Sequence, residues 1–144
     1  MRFATTGGKL FPFALLLCFA VSVAAQETAP VSDGPIQKAV MAKQDSEGNI
    51  VEDVTEFSPT DKPHICYIDM ADGNTGALLV KFIATKAVGL RANTVIYTGK
   101  YTITENDAGA VFEATMKNKF PVGDYRVEIS FKGKLEKTLE YKVK

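Results

Sequence analysis

A strict alternation of apolar and polar side chains is the feature of this sequence that most restricts its fold. In the run DYRVEISFK (124–132), charged or polar residues alternate with Tyr125, Val127, Ile129 and Phe131. A period of two puts these apolar side chains on one face of a β-strand, whereas a helix needs a period of 3.6. No helical stripe persists over several turns beyond the N-terminal region. The pattern therefore predicts an all-β fold.

Turn residues divide the chain beyond Ile36 into short runs of the same kind. Eight runs are patterned as strands: 36–44, 49–57, 64–70, 77–85, 93–104, 110–116, 124–132 and 134–144. Gly99 interrupts the fifth run, which predicts either two short strands or one strand with a bulge. Seven or eight short strands at this spacing predict a single antiparallel β-sandwich.

The last run, KLEKTLEYKVK (134–144), follows a tight turn. Lys132 and Gly133 fit a two-residue hairpin in which the glycine adopts a positive φ. In the strand that follows, Lys137 is the one polar exception on a face that we expect to carry Leu135, Leu139, Tyr141 and Val143.

Residues 1–25 have the organisation of a signal peptide. Basic residues precede an apolar run, and the small residues Val23, Ala24 and Ala25 end the segment. The apolar run is too short for a transmembrane helix. We therefore expect cleavage between Ala25 and Gln26, export to the periplasm or secretion from the cell, and no transmembrane anchor.

The rest of the chain divides into a flexible leader (26–35), which has no periodicity and two prolines, and a single domain (36–144). Without the signal peptide the chain carries 15 basic and 17 acidic residues. This balance provides no positively charged surface for nucleic acid or an anionic membrane. Cys66 is then the only cysteine, so no intramolecular disulfide can form.

The stretch KFPVGDYRV (119–127) places Pro, Gly and Asp directly before a strand that begins at Tyr125. In immunoglobulin-like sandwiches, a tyrosine at this point hydrogen-bonds back to the backbone that enters the strand. Cys66 and Val127 stand near the two positions that antibody domains join by a disulfide. We therefore predict that Tyr125 forms this corner and that the cross-core contact is apolar. The alternative is an ordinary turn in which the tyrosine packs on its neighbour.

Residues 57–143 resemble a loosely defined class of exported bacterial immunoglobulin-like domains. The shared features are the FSPTD entry to a strand (57–61), the PVGDYRV corner (121–127) and the final Gly133-Lys134 hairpin. The resemblance implies an immunoglobulin-like β-sandwich of seven to eight strands in an exported protein. It implies no catalytic residues, because a fold does not define a function.

His64 is the only histidine, and Cys66 lies two residues later on the same strand face. A nucleophilic cysteine needs an exposed thiolate within hydrogen-bond reach of the imidazole. Residues i and i+2 of a strand are about 7 Å apart, which is long for that bond. The sequence contains no Gly-x-Ser-x-Gly nucleophile elbow. We therefore predict that the protein is not an enzyme, and an enzyme of unknown type is the most distant alternative.

A metal site is the sharper alternative. His64, Cys66 and Met70 share one face of a predicted strand, and Met41 and Met116 are expected nearby. Sulfur ligands suit Cu(I), so a small periplasmic copper-handling protein is the second hypothesis. The same residues also fit a buried core face, where methionine fills gaps. On that interpretation, which we favour, the protein holds no metal and no cofactor.

The region around Gly99 is more apolar and aromatic than a solvated edge strand requires. Tyr97 and Tyr101 flank this glycine, and tyrosine is enriched at protein interfaces. We expect these two residues to form an interaction surface, acting by strand addition or as a tyrosine patch. The alternative is that these tyrosines, together with Ile96 and Ile103, belong to the two faces of a covered strand. The predicted function is a non-catalytic exported binding module of the bacterial cell envelope, with another envelope protein or a surface polymer as its partner.

Overall fold

The computed structural model describes residues 33–144, so the predicted signal peptide (1–25) and residues 26–32 of the predicted leader lie outside the described part of the chain. Within residues 33–144 the secondary structure is all β, which confirms the predicted fold class. The nine strands are β1 (Ile36–Gln44), β2 (Ile50–Glu52), β3 (Glu56–Phe57), β4 (His64–Met70), β5 (Gly76–Ala87), β6 (Thr94–Ile103), β7 (Gly109–Ala114), β8 (Gly123–Phe131) and β9 (Lys134–Val143). This part of the chain contains no helix that is long and apolar enough to cross a lipid bilayer.

The strands form two sheets that share one core. The first sheet has the order β2-β1-β4-β7, and the second has the order β3-β9-β8-β5-β6. Neighbouring strands are antiparallel except for β3 and β9, which are parallel. β7 ends the first sheet and β6 ends the second, and these two edge strands adjoin on one side of the molecule.

The run 49–57 forms two short strands where the sequence predicted one. β2 pairs with β1 in the first sheet, whereas β3 pairs with β9 in the second sheet. Between them Asp53 has a φ of 62°, a left-handed conformation that breaks an extended strand. The chain therefore crosses from one sheet to the other within this run, which raises the number of strands in the described residues to nine.

The core is built from alternating apolar positions in both sheets. β8 contributes four buried side chains in the predicted alternation: Tyr125, Val127, Ile129 and Phe131. In the first sheet, β4 contributes Cys66, Ile68 and Met70 to the same buried cluster. Cys66 and Val127 thus lie in one apolar core.

The predicted face of β9 is wrong at one residue. Lys137 pairs with Ile129, but Ser130 pairs with Leu135, so the register shifts at a β-bulge between these pairs. The extra residue reverses the facing of the strand, because successive strand residues point to opposite sides. Leu135 is therefore 53% exposed and lies outside the core.

β6 is a single strand, and its bulge does not lie at Gly99. Phe82 pairs with Tyr97 and Ile83 pairs with Val95, so Ile96 is the extra residue. Gly99 pairs regularly with Val80 of β5. A side chain at Gly99 would collide with the ring of Phe112 from β7, so the glycine makes room for the other sheet.

The two predicted turns around β8 are confirmed. The Tyr125 hydroxyl donates a hydrogen bond to the backbone carbonyl of Pro121 at 2.6 Å, which is the predicted corner. At the other end of β8, Lys132 and Gly133 have φ values of 50° and 80°. Positive φ at both central residues is the conformation that matches the twist of two hairpin strands.

Candidate functional site

Within residues 33–144, no strand pairs with β7 on the side that faces away from β4. The amide of Met70 donates to the carbonyl of Ala108 at 2.8 Å, and the register runs without interruption to the pair His64 and Ala114. In an antiparallel pair, only every second residue directs its N–H and C=O toward the neighbouring strand. The N–H and C=O groups of the intervening residues Gly109, Val111 and Glu113 therefore point outward along the edge.

A groove of about 630 Å³ follows this edge. Its lining begins on the outer face of the first sheet, passes around β7 and continues to the inner face of β6. The lining residues are Tyr67, Ile68, Asp69, Tyr97, Lys100, Tyr101, Gly109, Ala110, Val111 and Phe112. The volume lies within the range of protein ligand pockets, about 300–1,000 Å³.

The two tyrosines predicted from the sequence line this groove together. Tyr97 and Tyr101 pair with Phe82 and Leu78, which are fully buried, so both tyrosines lie on the core side of β6. The Tyr97 ring packs edge-on against Phe82, with their centroids 5.6 Å apart. The two tyrosines therefore share one face of β6.

Tyr101 remains accessible although it faces the core side of its sheet. It is 45% exposed, because β6 and β7 are both edge strands and no further strand of the described part of the chain covers it. Its hydroxyl donates a hydrogen bond to Asp107 Oδ1 at 3.1 Å. This hydrogen bond to a carboxylate raises the pKa of Tyr101, and the ring is held at the mouth of the groove.

The charged side chain on the outer face of β7 is acidic. Glu113 is exposed and lies opposite the uncharged Ile65 of β4. It forms no ion pair with another residue of the part of the chain that the structure describes. Asp69 of β4 is also exposed, but it lies opposite Lys38 of β1, so its charge is partly balanced. On this face Glu113 therefore makes the edge of β7 favourable for cationic groups.

The sequence-predicted His64 lies in a closed aromatic cluster. The imidazole is fully buried and stacks on Phe120 with the ring centroids 3.6 Å apart. Its Nδ1 lies 3.1 Å from the Tyr141 hydroxyl, while Nε2 has no hydrogen-bond partner among residues 33–144. Burial lowers the pKa of His64 to about 4, although the charge of Asp61 acts in the opposite direction. The ring is therefore neutral near pH 7.

Cys66 and Met70 are buried in the same core. Met41 lies directly across from Cys66 in the β1–β4 register, and Met116 packs at the margin of the cluster. Burial raises the pKa of the Cys66 thiol to about 12, so the thiol stays protonated. Among the described residues, no three His, Cys, Asp or Glu side chains form a group that could hold a metal ion. The exposed thiolate that either a nucleophile or a metal ligand needs is thus not provided here.

A second cleft of about 410 Å³ lies against the second sheet near β3. Most of its charged lining residues form ion pairs. Lys142 Nζ lies 3.4 Å from Asp124 Oδ1, and Glu56 pairs with Lys144. Glu140 also lines the cleft and forms no ion pair within residues 33–144, so one unpaired carboxylate is left there.

Sequence reasoning identified Tyr97 and Tyr101 but missed the edge strand that faces them. The run 110–116 has no local signal that distinguishes an edge strand from a central strand, and Tyr67 was not selected at all. Only the order of strands within the two sheets brings these residues together. The sequence matches no protein-family model, and no curated protein shows significant similarity to it.

Proposed function

We propose that this protein is a non-catalytic exported binding module of the bacterial cell envelope, built on an immunoglobulin-like β-sandwich. The strand order supports this fold, since β1-β4-β7 and β5-β8-β9 correspond to strands A-B-E and C-F-G of immunoglobulin domains. The hydrogen bond between Tyr125 and Pro121 adds the tyrosine corner that is characteristic of these domains.

The groove between β6 and β7 is the proposed binding site. The observation that carries the proposal is the convergence of Tyr67, Tyr97 and Tyr101 on one groove beside free backbone groups. Tyrosine supplies a large apolar ring and a polar tip, which suits a surface that alternates between water and a partner. Another envelope protein or a surface polymer would fill the groove.

A catalytic role has little support in the described residues. His64 and Cys66 carry the nucleophilic chemistry that the sequence offers, and both are fully buried. The copper-handling alternative meets the same obstacle, because a cysteine must lose its proton to bind a metal and burial of Cys66 opposes this loss. No observation favours either alternative over binding.

Capture of cross-linked envelope proteins by the exported protein tests the proposal. Tyr97→Ala and Tyr101→Ala should each reduce capture while the protein stays folded. Leu135→Ala is the matched control, since it removes an exposed apolar side chain outside the groove and should leave capture unchanged. Equal capture by all folded variants would contradict the proposed site.

Export is tested separately by the intact mass of the protein recovered from the cell envelope or medium. The proposal predicts a chain that starts at Gln26. A chain that retains residues 1–25 would contradict export by a cleaved signal peptide.

A further inference from the structure

We infer that the groove receives an extended segment of a partner protein, which adds as a strand to the free edge of β7. This inference rests on the proposed binding function and assigns the mode of binding and the chemistry of the partner. It moves the centre of the site from the tyrosines of β6 to the backbone of the opposite edge.

The backbone of β7 is the first reason. The outward N–H and C=O groups of Gly109, Val111 and Glu113 lie at alternate positions on a six-residue strand, which is about 20 Å long. A strand that adds beside them would receive the same ladder of hydrogen bonds that β4 makes on the other side. Val111 is 50% exposed at the middle of this edge, so the approach is open.

Protection of the other edges is the second reason. β2 pairs only with Ala42–Gln44 of β1, and β3 pairs only with Lys142 and Val143 of β9, so the rest of β1 and β9 has no strand of residues 33–144 on that side. The uncovered stretch of β1 contains a bulge and Lys38, and that of β9 contains a bulge, Lys134 and Lys137, all of which discourage strand addition. β6 is interrupted by its bulge at Ile96 and carries the exposed Lys100, which are two devices that discourage strand addition. β7 contains no bulge, no lysine and no proline. It is the least protected long edge among the described residues.

The two faces of β7 determine the side-chain pattern of the added strand. Residues of the partner that point inward would meet Phe112 and the rings of Tyr97 and Tyr101, which favours apolar side chains at alternate positions. Residues that point outward would lie beside Val111 and the acidic Glu113, whereas Asp69, one strand further in, already lies opposite Lys38 of β1. Opposite charges at cross-strand positions stabilise a sheet, so lysine or arginine is favoured on that face.

The partner segment is therefore an extended peptide with apolar residues on one face and cationic residues on the other. A displayed library of peptides of about ten residues tests this pattern with the exported protein as bait. Enriched peptides should alternate apolar with cationic residues. Enrichment of sequences without this alternation, or of acidic ones, would overturn the inference.

Backbone methylation of an enriched synthetic peptide tests the hydrogen bonds without changing the protein. Two versions of the peptide are compared, one methylated on its odd-numbered amide nitrogens and one on its even-numbered amide nitrogens. The version whose methylated amides face β7 should bind about tenfold more weakly than the unmodified peptide. In the other version the methylated amides point away from β7, and binding should be retained. Equal effects in both versions would contradict strand addition.

Variants of the protein separate this inference from the proposed function. Val111→Pro removes one outward N–H from β7 and leaves the β4 ladder intact, whereas Val111→Ala keeps that N–H. Strand addition predicts that the proline variant loses peptide binding and that the alanine variant retains most of it. Suppose that Tyr97→Ala and Tyr101→Ala reduce the capture of envelope proteins, but that no peptide is enriched or that Val111→Pro has no effect on peptide binding. Strand addition would then be wrong, whereas the groove would remain supported as the binding site. If neither tyrosine variant affects capture and no peptide is enriched, both proposals fail.

Discussion

The aromatic cluster around His64 and the groove beside Tyr101 differ in how far their tyrosines are buried. In the cluster, Tyr125 and Tyr141 are buried and stacked on each other. The loops before β4 and β8 cover them, and the Phe120 amide of one loop donates a hydrogen bond to the Pro59 carbonyl of the other. In the groove, Tyr101 is exposed and its hydroxyl donates a hydrogen bond to the half-buried Asp107. The comparison indicates that stability resides in the closed cluster, while the open edge is free to bind.

The largest effect is expected from opening the closed cluster. Phe120→Ala should lower the free energy of unfolding by about 3–5 kcal/mol, since it removes a fully buried ring and leaves a cavity beside His64. Urea denaturation of the two proteins measures the difference. A loss below about 1 kcal/mol would show that the loop carrying Phe120 does not close the cluster in solution.

Acid should also break the closed cluster through His64. Its pKa is about 4 in the fold and about 6.5 in an unfolded chain, so the unfolded state binds the proton first as the pH falls. The stability that depends on neutral His64 is therefore fully present above pH 6.5. The free energy of unfolding should decline by about 3 kcal/mol as the pH falls from 6.5 to 4. Urea denaturation at several pH values measures this decline.

His64→Leu is the control for the acid effect. This variant should be less stable near pH 7, because Tyr141 loses its hydrogen-bond partner. It should nevertheless lack the decline between pH 6.5 and 4, because the titrating group is gone. An identical decline in both proteins would assign the effect to other groups.

The hydroxyl of Tyr125 is expected to have a smaller effect. Tyr125→Phe removes the hydrogen bond to the Pro121 carbonyl and should cost about 1–3 kcal/mol, the usual penalty for an unpaired buried acceptor. Burial also raises the pKa of Tyr125 to about 12, so the hydroxyl remains a donor up to high pH. A folded variant as stable as the original would argue against the corner.

The same substitution at the open edge should have almost no effect on stability. Tyr101→Phe removes an exposed hydrogen bond to Asp107, which water can replace. The free energy of unfolding should therefore change far less than for Tyr125→Phe in a parallel denaturation experiment. Equal losses for the two variants would remove the contrast between the two regions.

Local patterns predicted the parts of the fold that depend on neighbouring residues. The alternation in β8, the corner at Tyr125 and the hairpin at Gly133 each follow from a few adjacent residues, and the structure has all of them. Leu135 was misplaced because a bulge is set by pairing with β8 rather than by the sequence of β9. Gly99 was misread because its partner, the Phe112 ring, comes from the other sheet.

The candidate site was predictable only in part for the same reason. Tyr97 and Tyr101 attract attention as aromatic residues in a strand, and the structure brings both to one groove. The opposite wall depends on β7 being an edge strand, which is decided by how distant strands pair. His64 was expected on a buried core face, but the residue that covers its ring, Phe120, comes from a distant loop that the pattern around His64 does not reveal.

Amide hydrogen exchange along β7 tests most directly the claim that this strand is a free edge. The account predicts alternation: the amides of Ala110 and Phe112, which are bonded to β4, should be protected, whereas those of Val111 and Glu113 should exchange rapidly. An enriched cationic peptide should then slow exchange at Val111 and Glu113. Uniform protection along β7 in the protein alone would mean that the edge is already paired or covered, and it would contradict the account.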